Sequence, residues 1–229
     1  MLIGGLQKFS LINYPKKTSA LIFTQGCGFL CQYCHNPELV LKKRFQPPID
    51  EDTVLTFLKK RQNQLDAVVI SGGEPTLQKD LIPFIKKIKD LNFLIKLDTN
   101  GIHPKIIKNL LDENLLDYIA MDIKAPLDKY KLITQLDLGL NLIEESINLI
   151  MSSNIDYEFR TTLVKNLHEI EDIEKMGLLI KGAKKYFLQS FVPKVTLNPD
   201  LSSSKAFSDE EMEDMRKTAL KYVKNCFIR

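Results

Sequence analysis

Three cysteines, Cys27, Cys31 and Cys34, lie within eight residues of sequence. They follow an apolar, β-branched run at 19–24, so all three are predicted to lie on one loop at the end of a strand. Thiolates are soft ligands that suit zinc and iron–sulfur clusters, and a 4Fe–4S cluster normally takes four of them. Three thiolates would leave one iron open to exchange, as catalytic zinc sites keep one position free. The three thiols therefore suit either a zinc ion or a 4Fe–4S cluster whose open iron could bind a substrate or cofactor.

A structural zinc ion with a fourth protein ligand is the alternative for these thiols. His35 is a poor fourth ligand because adjacent Cys34 and His35 side chains do not easily converge on one tetrahedral ion. Cys226 could reach the loop only if the carboxyl-terminal helix folded back; its other roles are a small buried hydrophobe or a surface thiol. His103 and His168 each begin a predicted helix, so we expect them to cap it or to face solvent, without a catalytic role.

A second motif, Gly72-Gly73-Glu74-Pro75, ends the next predicted strand. The two glycines would let backbone groups approach a ligand closely, and Glu74 adds a hydrogen-bond acceptor beside them. Taken alone, the motif could be only a strand-to-helix turn. Its position one strand after the cysteine loop favours a shared site.

Short apolar runs alternate along the chain with segments whose apolar residues recur with a helical period. The runs predict six strands, at 19–24, 67–71, 92–98, 118–124, 156–164 and 185–191. The periodic segments predict helices at 52–61, 80–89, 104–113, 140–151, 168–181 and 209–224. This alternation implies an α/β fold with a parallel sheet, either an open partial β/α barrel of about six strand–helix units or a doubly wound sheet. In both, sites gather at the carboxyl ends of the strands.

Capping signals support the boundaries of two of these helices. Asn166 with Glu169 and Ser208 with Glu211 have the spacing of capping boxes. Gly182 stands where the helix that precedes it should stop.

The composition is that of an ordinary globular protein, with 44% hydrophobic and 27% charged residues in a chain of 229. Lys and Arg number 32 against 29 Asp and Glu, and this interspersed balance argues against a dedicated nucleic-acid-binding protein. No segment approaches the ~18 apolar residues of a membrane span, and residues 1–17 lack a cationic start followed by an apolar run. We expect residues 1–229 to form a single domain of a cytoplasmic protein that binds neither nucleic acid nor membrane.

Together the two motifs resemble those of the radical S-adenosylmethionine (SAM) superfamily, in the same order and positions. Within it, the chain is similar to the activating proteins of anaerobic ribonucleoside-triphosphate reductases, which are glycyl radical enzyme activases. The closer resemblance rests on GLQKFSLI at 5–12, FTQGC at 23–27 and CHNPEL at 34–39. It covers most of the chain and is strongest over residues 5–125.

The resemblance implies a 4Fe–4S cluster held by the three cysteines, with SAM chelating the open iron. Reductive cleavage of SAM would give a 5′-deoxyadenosyl radical that takes a hydrogen atom from a glycine. The protein would orient the reactants and exclude side reactions, while the cofactors supply the radical chemistry. The expected partners are the glycyl radical subunit of anaerobic ribonucleotide reductase and an electron donor such as flavodoxin or ferredoxin.

The resemblance also assigns residues of the two motifs to SAM. Tyr33 and His35 would lie near the adenine. Gly73 and Glu74 would lie near the methionyl amine, with Gly72 beside them.

Polar side chains on later strands complete the expected cofactor site. Lys124 would neutralise the methionyl carboxylate, with a surface lysine as the alternative. Asp98 and Asp122 would either hold a monovalent cation or cap helices and turns, and Asn100 lies beside them. Arg160 would pair with a carboxylate of the cofactor or with one of the protein.

Two alternative functions stay open. The same cofactors could act on another substrate, namely a different glycyl radical enzyme, a small molecule or a tRNA-pathway intermediate. A non-catalytic zinc or electron-transfer module could use the same thiols, although electron transfer would not require the Gly-Gly-Glu-Pro turn.

Overall fold

Eight strands form one sheet in which their spatial order follows their order in the chain. The computed structural model describes residues 1–137, 139–193 and 195–229. β1 pairs antiparallel with β2, and each later neighbouring pair is parallel. The strands are β1 Ile3–Tyr14, β2 Lys17–Thr24, β3 Ala67–Gly72, β4 Leu94–Thr99, β5 Tyr118–Asp122, β6 Asp156–Leu163, β7 Tyr186–Ser190 and β8 Cys226–Ile228.

Helices follow the parallel strands and cover one face of the sheet. The α-helices are α1 Pro37–Val40, α2 Glu51–Lys60, α3 Leu81–Lys89, α4 Pro104–Asp112, α5 Tyr130–Thr134, α6 Asn141–Ser152, α7 Ile170–Leu179 and α8 Asp209–Ala219. Short 3₁₀ turns lie at Lys42–Arg44, Pro75–Leu77, Leu127–Lys129 and Pro199–Ser203. Within the described residues, no helix is both long and apolar enough to span a membrane.

The side chains on the two faces of β6 have different surroundings. Phe159 and Leu163 are fully buried in the main hydrophobic core, which also contains side chains of the covering helices. Arg160 and Thr162 alternate with them and line a cavity on the opposite, concave face. At β6 the sheet therefore separates a packed apolar layer from polar side chains that line the cavity.

The sheet curves without closing, since among the described residues no pairing joins the edge strands β1 and β8. The six predicted strands are confirmed as β2 to β7, and the open partial barrel is the observed fold. The flanking strands β1 and β8 were not predicted, and neither were the short helices α1 and α5. The last helix ends at Ala219 rather than 224, and Cys226 is buried at the start of β8.

One of the two predicted capping boxes is confirmed. Ser208 and Glu211 cap α8 reciprocally. The other prediction was wrong, because Glu169 itself caps α7 with Asp172 as its partner. Asn166 instead donates to Ser204 Oγ at 3.2 Å, a contact between segments that the local spacing does not reveal.

Candidate functional site

A cavity of about 220 Å³ lies at the carboxyl ends of the parallel strands. It brings together the cysteine loop after β2 and side chains of β3, β4, β5 and β6. The predicted site residues that line it are Cys27, Cys31, Tyr33, Cys34, His35, Gly72, Gly73, Asp98, Asn100, Asp122, Lys124 and Arg160. Glu74, the remaining predicted site residue, does not line the cavity.

The three thiols of the loop are largely shielded from water. Burial raises the pKa of Cys27 to about 12 and that of Cys31 to about 11. Burial raises the pKa of Cys34 as well. Thiols in this setting are protonated near neutral pH, so binding a metal would release their protons.

Backbone contacts with distant segments hold the cysteine loop in place. On one side, Leu30 N–H donates to the Thr134 carbonyl at the end of α5, at 2.8 Å. On the other, Leu197 N–H donates to the Cys34 carbonyl at 3.0 Å, and Asn198 N–H to the Gln32 carbonyl at 2.9 Å. We call residues 195–198 the strap. The loop is thus fixed by segments that lie more than 100 residues away in sequence.

The double glycine lets the turn after β3 lie directly against the cysteine loop. Gly72 has a φ of 111°, and a Cβ there would lie 2.3 Å from Thr24 N. A Cβ on Gly73 would lie 2.1 Å from the Gly26 carbonyl oxygen. Because no Cβ intervenes, Gly73 N–H donates to Thr24 O at 2.9 Å and Glu74 N–H to Gly26 O at 2.7 Å. The glycines therefore join the two motifs through their backbones.

The Glu74 carboxylate connects this turn to the end of β4. Its Oε1 accepts from Thr76 N–H at 3.0 Å and from Thr99 Oγ1 at 2.8 Å, while Oε2 accepts from Asn100 N–H at 2.7 Å. Complete burial raises its pKa, although these donors oppose the rise. Asn100 in turn directs its side-chain amide at Cys27 Sγ, 3.8 Å away. Glu74 thus lies behind the cavity wall and positions residues that form it.

Five side chains of alternating charge form a chain at the floor of the cavity, and four of them, all but Lys96, line it. Lys96 Nζ lies 2.7 Å from Asp98 Oδ1, and Arg160 Nη1 lies 3.4 Å from Asp98 Oδ2. Arg160 Nε donates to Asp122 Oδ1 at 2.8 Å, and Lys124 Nζ to Asp122 Oδ2 at 2.9 Å. Lys96 does not itself line the cavity, so the lining pairs two cations, Lys124 and Arg160, with two anions, Asp98 and Asp122. Lys124 has three donors and one acidic ion-pair partner among the described residues, so it can still bind an anionic ligand group.

The mutual pairing keeps these groups ionised despite their burial. Burial opposes ionisation of Asp122, but Arg160 and Lys124 lower the pKa of this carboxyl to about 2. Arg160 and Lys96 likewise hold the pKa of Asp98 below its ordinary value against the effect of burial. The pKa of Lys124 lies well above its ordinary value because Asp122 outweighs the burial penalty. Asp98, Asp122, Lys124 and Arg160 are therefore charged at neutral pH.

The two residues that flank Cys34 occupy different surroundings. Tyr33 is buried, its hydroxyl has no hydrogen-bond partner within the described residues, and Lys124 Nζ lies 5.9 Å from its ring centroid. His35 is exposed and stacks on Phe191, with ring centroids 5.3 Å apart. Its Nδ1 lies 3.2 Å from the Val195 carbonyl, so that nitrogen carries the proton. His35 therefore contacts the strap as well as the cavity.

Lys96 and His168 contact residues of the site, and the sequence reasoning assigned neither of them to it. Lys96 was not singled out, although it precedes Asp98 by two positions on one strand and so shares its face. His168 was expected to cap a helix or face solvent, but its ring is 1% exposed and contacts Lys124 and Tyr33. No local pattern reveals the His168 contacts, because they join three separate segments.

The donor set of the cavity fits an iron–sulfur cluster, since three soft thiol ligands line it together. Among the described residues, no three His, Cys, Asp or Glu side chains lie close enough to hold a single metal ion. A sequence profile of the radical SAM superfamily matches residues 21–177, more than half of the chain. The chain belongs to the radical SAM superfamily. Membership implies a 4Fe–4S cluster and SAM, and Cys27, Cys31 and Cys34 are the thiols that fit the cluster.

Comparison with individual proteins places this radical SAM chain near activating enzymes. A putative glycyl-radical enzyme activating enzyme of Methanocaldococcus jannaschii is 37% identical over 236 residues, which cover 100% of this chain and 95% of that protein. The pyruvate formate-lyase-activating enzyme of Clostridium pasteurianum is 27% identical over 213 residues, covering 85% of this chain and 82% of that protein.

A solved structure shares the fold of this radical SAM chain. Streptococcus suis SuiB bound to S-adenosylmethionine aligns with a TM-score of 0.68 at 14% identity, covering 91% of this chain and 49% of SuiB. The chain thus spans about half the length of SuiB. At this level of identity the likeness shows that the two proteins share the partial barrel.

Proposed function

We propose that this radical SAM protein is an activating enzyme that generates a glycyl radical on the anaerobic ribonucleotide reductase. The observation that carries the proposal is the meeting of the three-thiol loop, the Gly-Gly-Glu-Pro turn and the charged floor around one cavity. The 37% identity over the whole chain to a putative glycyl-radical enzyme activating enzyme supports the reaction class. The runs at 5–12, 23–27 and 34–39 support the choice of reductase.

The three thiolates would hold the cluster and leave one iron free for SAM. When bound, the cluster and SAM supply the one-electron chemistry that removes a hydrogen atom from a glycine of the partner. Asn100 would donate to Cys27 Sγ, and such hydrogen bonds to ligand sulfur tune the reduction potential of a cluster. The protein's part is to orient SAM and to keep water from the site.

Lys124 is the residue that we assign to the methionyl carboxylate of SAM. It lines the cavity, keeps its charge, and has Asp122 as its only acidic ion-pair partner among the described residues. An ammonium has three donors, so Lys124 can bind a second carboxylate without leaving Asp122. Arg160 pairs with Asp98 and Asp122, which favours a structural role in holding the floor together.

The remaining motif residues would position SAM at its other end. Gly72 and Gly73 line the cavity and would leave the methionyl amine close to the backbone of the turn. Glu74 would act through the position of Asn100 and the turn, since its oxygens accept from protein donors. Tyr33 and His35 would lie near the adenine.

Side-chain cations would take the place of a monovalent cation at Asp98 and Asp122. Each carboxylate already lies within 3.5 Å of two cationic side chains, drawn from Lys96, Arg160 and Lys124. A further cation would meet like charges there, which disfavours its binding. SAM binding should therefore be the same in potassium and in tetramethylammonium buffers.

The proposal also includes the domain organisation, the cellular location and the electron donor of the enzyme. We assign residues 1–229 to a single radical SAM unit that works in the cytoplasm with a flavodoxin or ferredoxin as its electron donor. An even balance of charge is compatible with a protein partner rather than a nucleic acid.

The test is anaerobic reconstitution with iron and sulfide, followed by reduction and assay for 5′-deoxyadenosine and methionine. The reduced enzyme is then incubated with SAM and anaerobic ribonucleotide reductase, and the glycyl radical is measured by electron paramagnetic resonance. We expect one glycyl radical doublet in the reductase and none with Cys31→Ala, which cannot assemble the cluster. A loaded, reducible cluster that gives no 5′-deoxyadenosine would overturn the proposed reaction.

A second candidate partner, pyruvate formate-lyase, is favoured by the 27% identity to its activating enzyme from Clostridium pasteurianum. It is tested in parallel under the same conditions. A radical on pyruvate formate-lyase alone would replace the reductase as partner. Formation of 5′-deoxyadenosine without a radical on either protein would overturn both partner assignments.

A further inference from the structure

Lys124 follows β5 on a loop whose backbone is held from both sides. Its N–H donates to Tyr130 Oη at 3.2 Å. Its carbonyl oxygen lies 2.9 Å from His168 Nε2. Tyr130 begins α5, and His168 lies between β6 and α7, so two separate segments fix the point from which the lysine side chain starts.

The hydrogen bond made by the other ring nitrogen of His168, Nδ1, determines which of the two nitrogens carries the proton. Val164 N–H donates to Nδ1 at 3.1 Å, so Nδ1 must present its lone pair. Nε2 therefore carries the hydrogen and donates it to the Lys124 carbonyl. Burial lowers the pKa of His168, which agrees with a neutral ring. Nδ1 can only accept and Nε2 can only donate with these partners, so the surroundings of His168 fix its tautomer.

The same ring also touches the cysteine loop. His168 meets Tyr33 edge-on, with ring centroids 6.3 Å apart. Tyr33 stands between Cys31 and Cys34 in the loop, and Lys124 Nζ lies 5.9 Å from its ring centroid. His168, Tyr33 and Lys124 thus form one contiguous cluster that joins the thiol loop to the charged floor.

We propose that His168 is a positioning residue of the radical SAM site, which fixes Lys124 relative to the cysteine loop through its Nε2–H tautomer. The inference rests on the proposed assignment of Lys124 to the SAM carboxylate. Lysine has a long, flexible side chain and loses rotamer freedom when it binds a carboxylate in one geometry. Fixing its backbone restricts where the ammonium can lie, so the carboxylate meets a group already directed into the cavity.

The first experiment measures the dissociation constant of SAM for the anaerobically reconstituted full chain. We expect His168→Leu to raise it about tenfold, because the buried Lys124 carbonyl loses its donor. His168→Gln keeps an amide donor and should restore it to within about threefold of the unsubstituted protein. The matched control is His103→Leu at the start of α4, which should leave the value unchanged. Equal affinity of His168→Leu and the unsubstituted protein would overturn the inference.

A double-mutant cycle separates this inference from the proposed function. If His168 acts through Lys124, His168→Leu should have less than about a twofold further effect in a Lys124→Ala background. Full additivity of the two effects would show that His168 acts elsewhere and would overturn the positioning role. Unchanged SAM affinity in Lys124→Ala alone would instead overturn the assignment of Lys124 to the carboxylate.

A third measurement uses the unsubstituted protein, so it does not depend on whether a variant folds. The chain has three histidines, so long-range proton–nitrogen spectra of the metal-free protein can be assigned to each ring. We expect His168 to be neutral at pH 7, with a protonated Nε2 and an unprotonated Nδ1. A protonated Nδ1, or rapid exchange between tautomers, would contradict the geometry on which the inference depends.

Discussion

The Glu74 carboxylate accepts hydrogen bonds from its own turn and from the end of β4. It therefore bridges these two segments. In Glu74→Gln, one acceptor oxygen becomes an NH₂ group that faces protein donors. We expect the free energy of unfolding of the metal-free protein to fall by about 1–3 kcal/mol, measured by urea denaturation. The exposed Glu113→Gln serves as the control and should change stability by less than about 0.5 kcal/mol. Equal losses in both variants would contradict the bridging role.

The lowered pKa of Asp122 predicts how the free energy of unfolding changes at acid pH. Its pKa is about 2 in the folded chain, against an ordinary value of 3.8, because Arg160 and Lys124 outweigh the effect of burial. A carboxyl with a lowered folded pKa stabilises the fold above its unfolded pKa and loses that contribution as pH falls through the folded value. Between about pH 4 and pH 2 we therefore expect a loss of roughly 2 kcal/mol from this group.

The measurement is urea unfolding of the metal-free protein at a series of pH values. Asp122→Asn should be less stable near neutral pH and should lose less stability on acidification than the unsubstituted protein. Asp112→Asn, at an exposed carboxylate on α4, is the matched control and should follow the unsubstituted curve. An acid dependence that Asp122→Asn leaves unaltered would count against the ion network.

At the scale of elements, the strap makes the cysteine loop depend on a distant segment. Asn198 Nδ2 donates to Gln32 Oε1 at 3.2 Å, and Asn198 Oδ1 accepts from Asp200 N–H at 3.1 Å. We expect Asn198→Ala to loosen the strap and to release cluster iron to a chelator several-fold faster, followed by visible absorbance. Asn225→Ala removes a similar bond, to the Lys184 carbonyl near β8, and should not change that rate. Identical release rates would contradict a role for the strap in retaining the cluster.

The elements that the sequence predicted are those whose pattern is local and strong. β2 to β7 are apolar runs that each have at least one parallel neighbour, and five predicted helices flank them as α2, α3, α4, α6 and α7. β1 was missed because its exposed residues include the apolar Phe9, Leu11 and Ile12, so its sequence does not alternate between apolar and polar residues. β8 has three residues and α5 has five, too few to show a period.

Over the whole molecule, Arg229 links the last strand to the middle of the sheet. Its Nη1 lies 3.1 Å from Glu158 Oε1, and its guanidinium lies 3.7 Å from the Phe187 ring centroid. Glu158 is 1% exposed and also accepts from Tyr118 Oη at 2.8 Å. One group of contacts therefore joins β5, β6 and β7 to the residue that follows β8.

Loss of Arg229 should destabilise the chain because the buried Glu158 carboxylate loses a charged donor. We expect Arg229→Ala to cost about 1–3 kcal/mol and to lower the melting temperature by several degrees in calorimetry of the metal-free protein. Arg229→Lys keeps the charge and should recover part of the loss. Lys224→Ala, at an exposed lysine just before β8, is the control and should melt as the unsubstituted protein does. A melting temperature unchanged in Arg229→Ala would contradict this linkage.

The sequence by itself determined the ligand chemistry and the order of the elements. Cys27, Cys31 and Cys34 lie on one loop because covalent connection keeps nearby residues together. The strand period likewise put Asp98 and Asp122 at the carboxyl ends of neighbouring strands. These features follow from short-range geometry, so spacing alone was sufficient to predict them.

Only the tertiary structure decided what the polar groups do to one another. It directed the Glu74 carboxylate to Thr99 and the Asn100 backbone, paired Lys96 with Asp98, and placed the ring of His168 on Lys124. The physical reason is that a buried polar group must find whichever partner packing brings within about 3 Å. That partner lies on another segment of the chain, and no local spacing encodes the meeting of two segments.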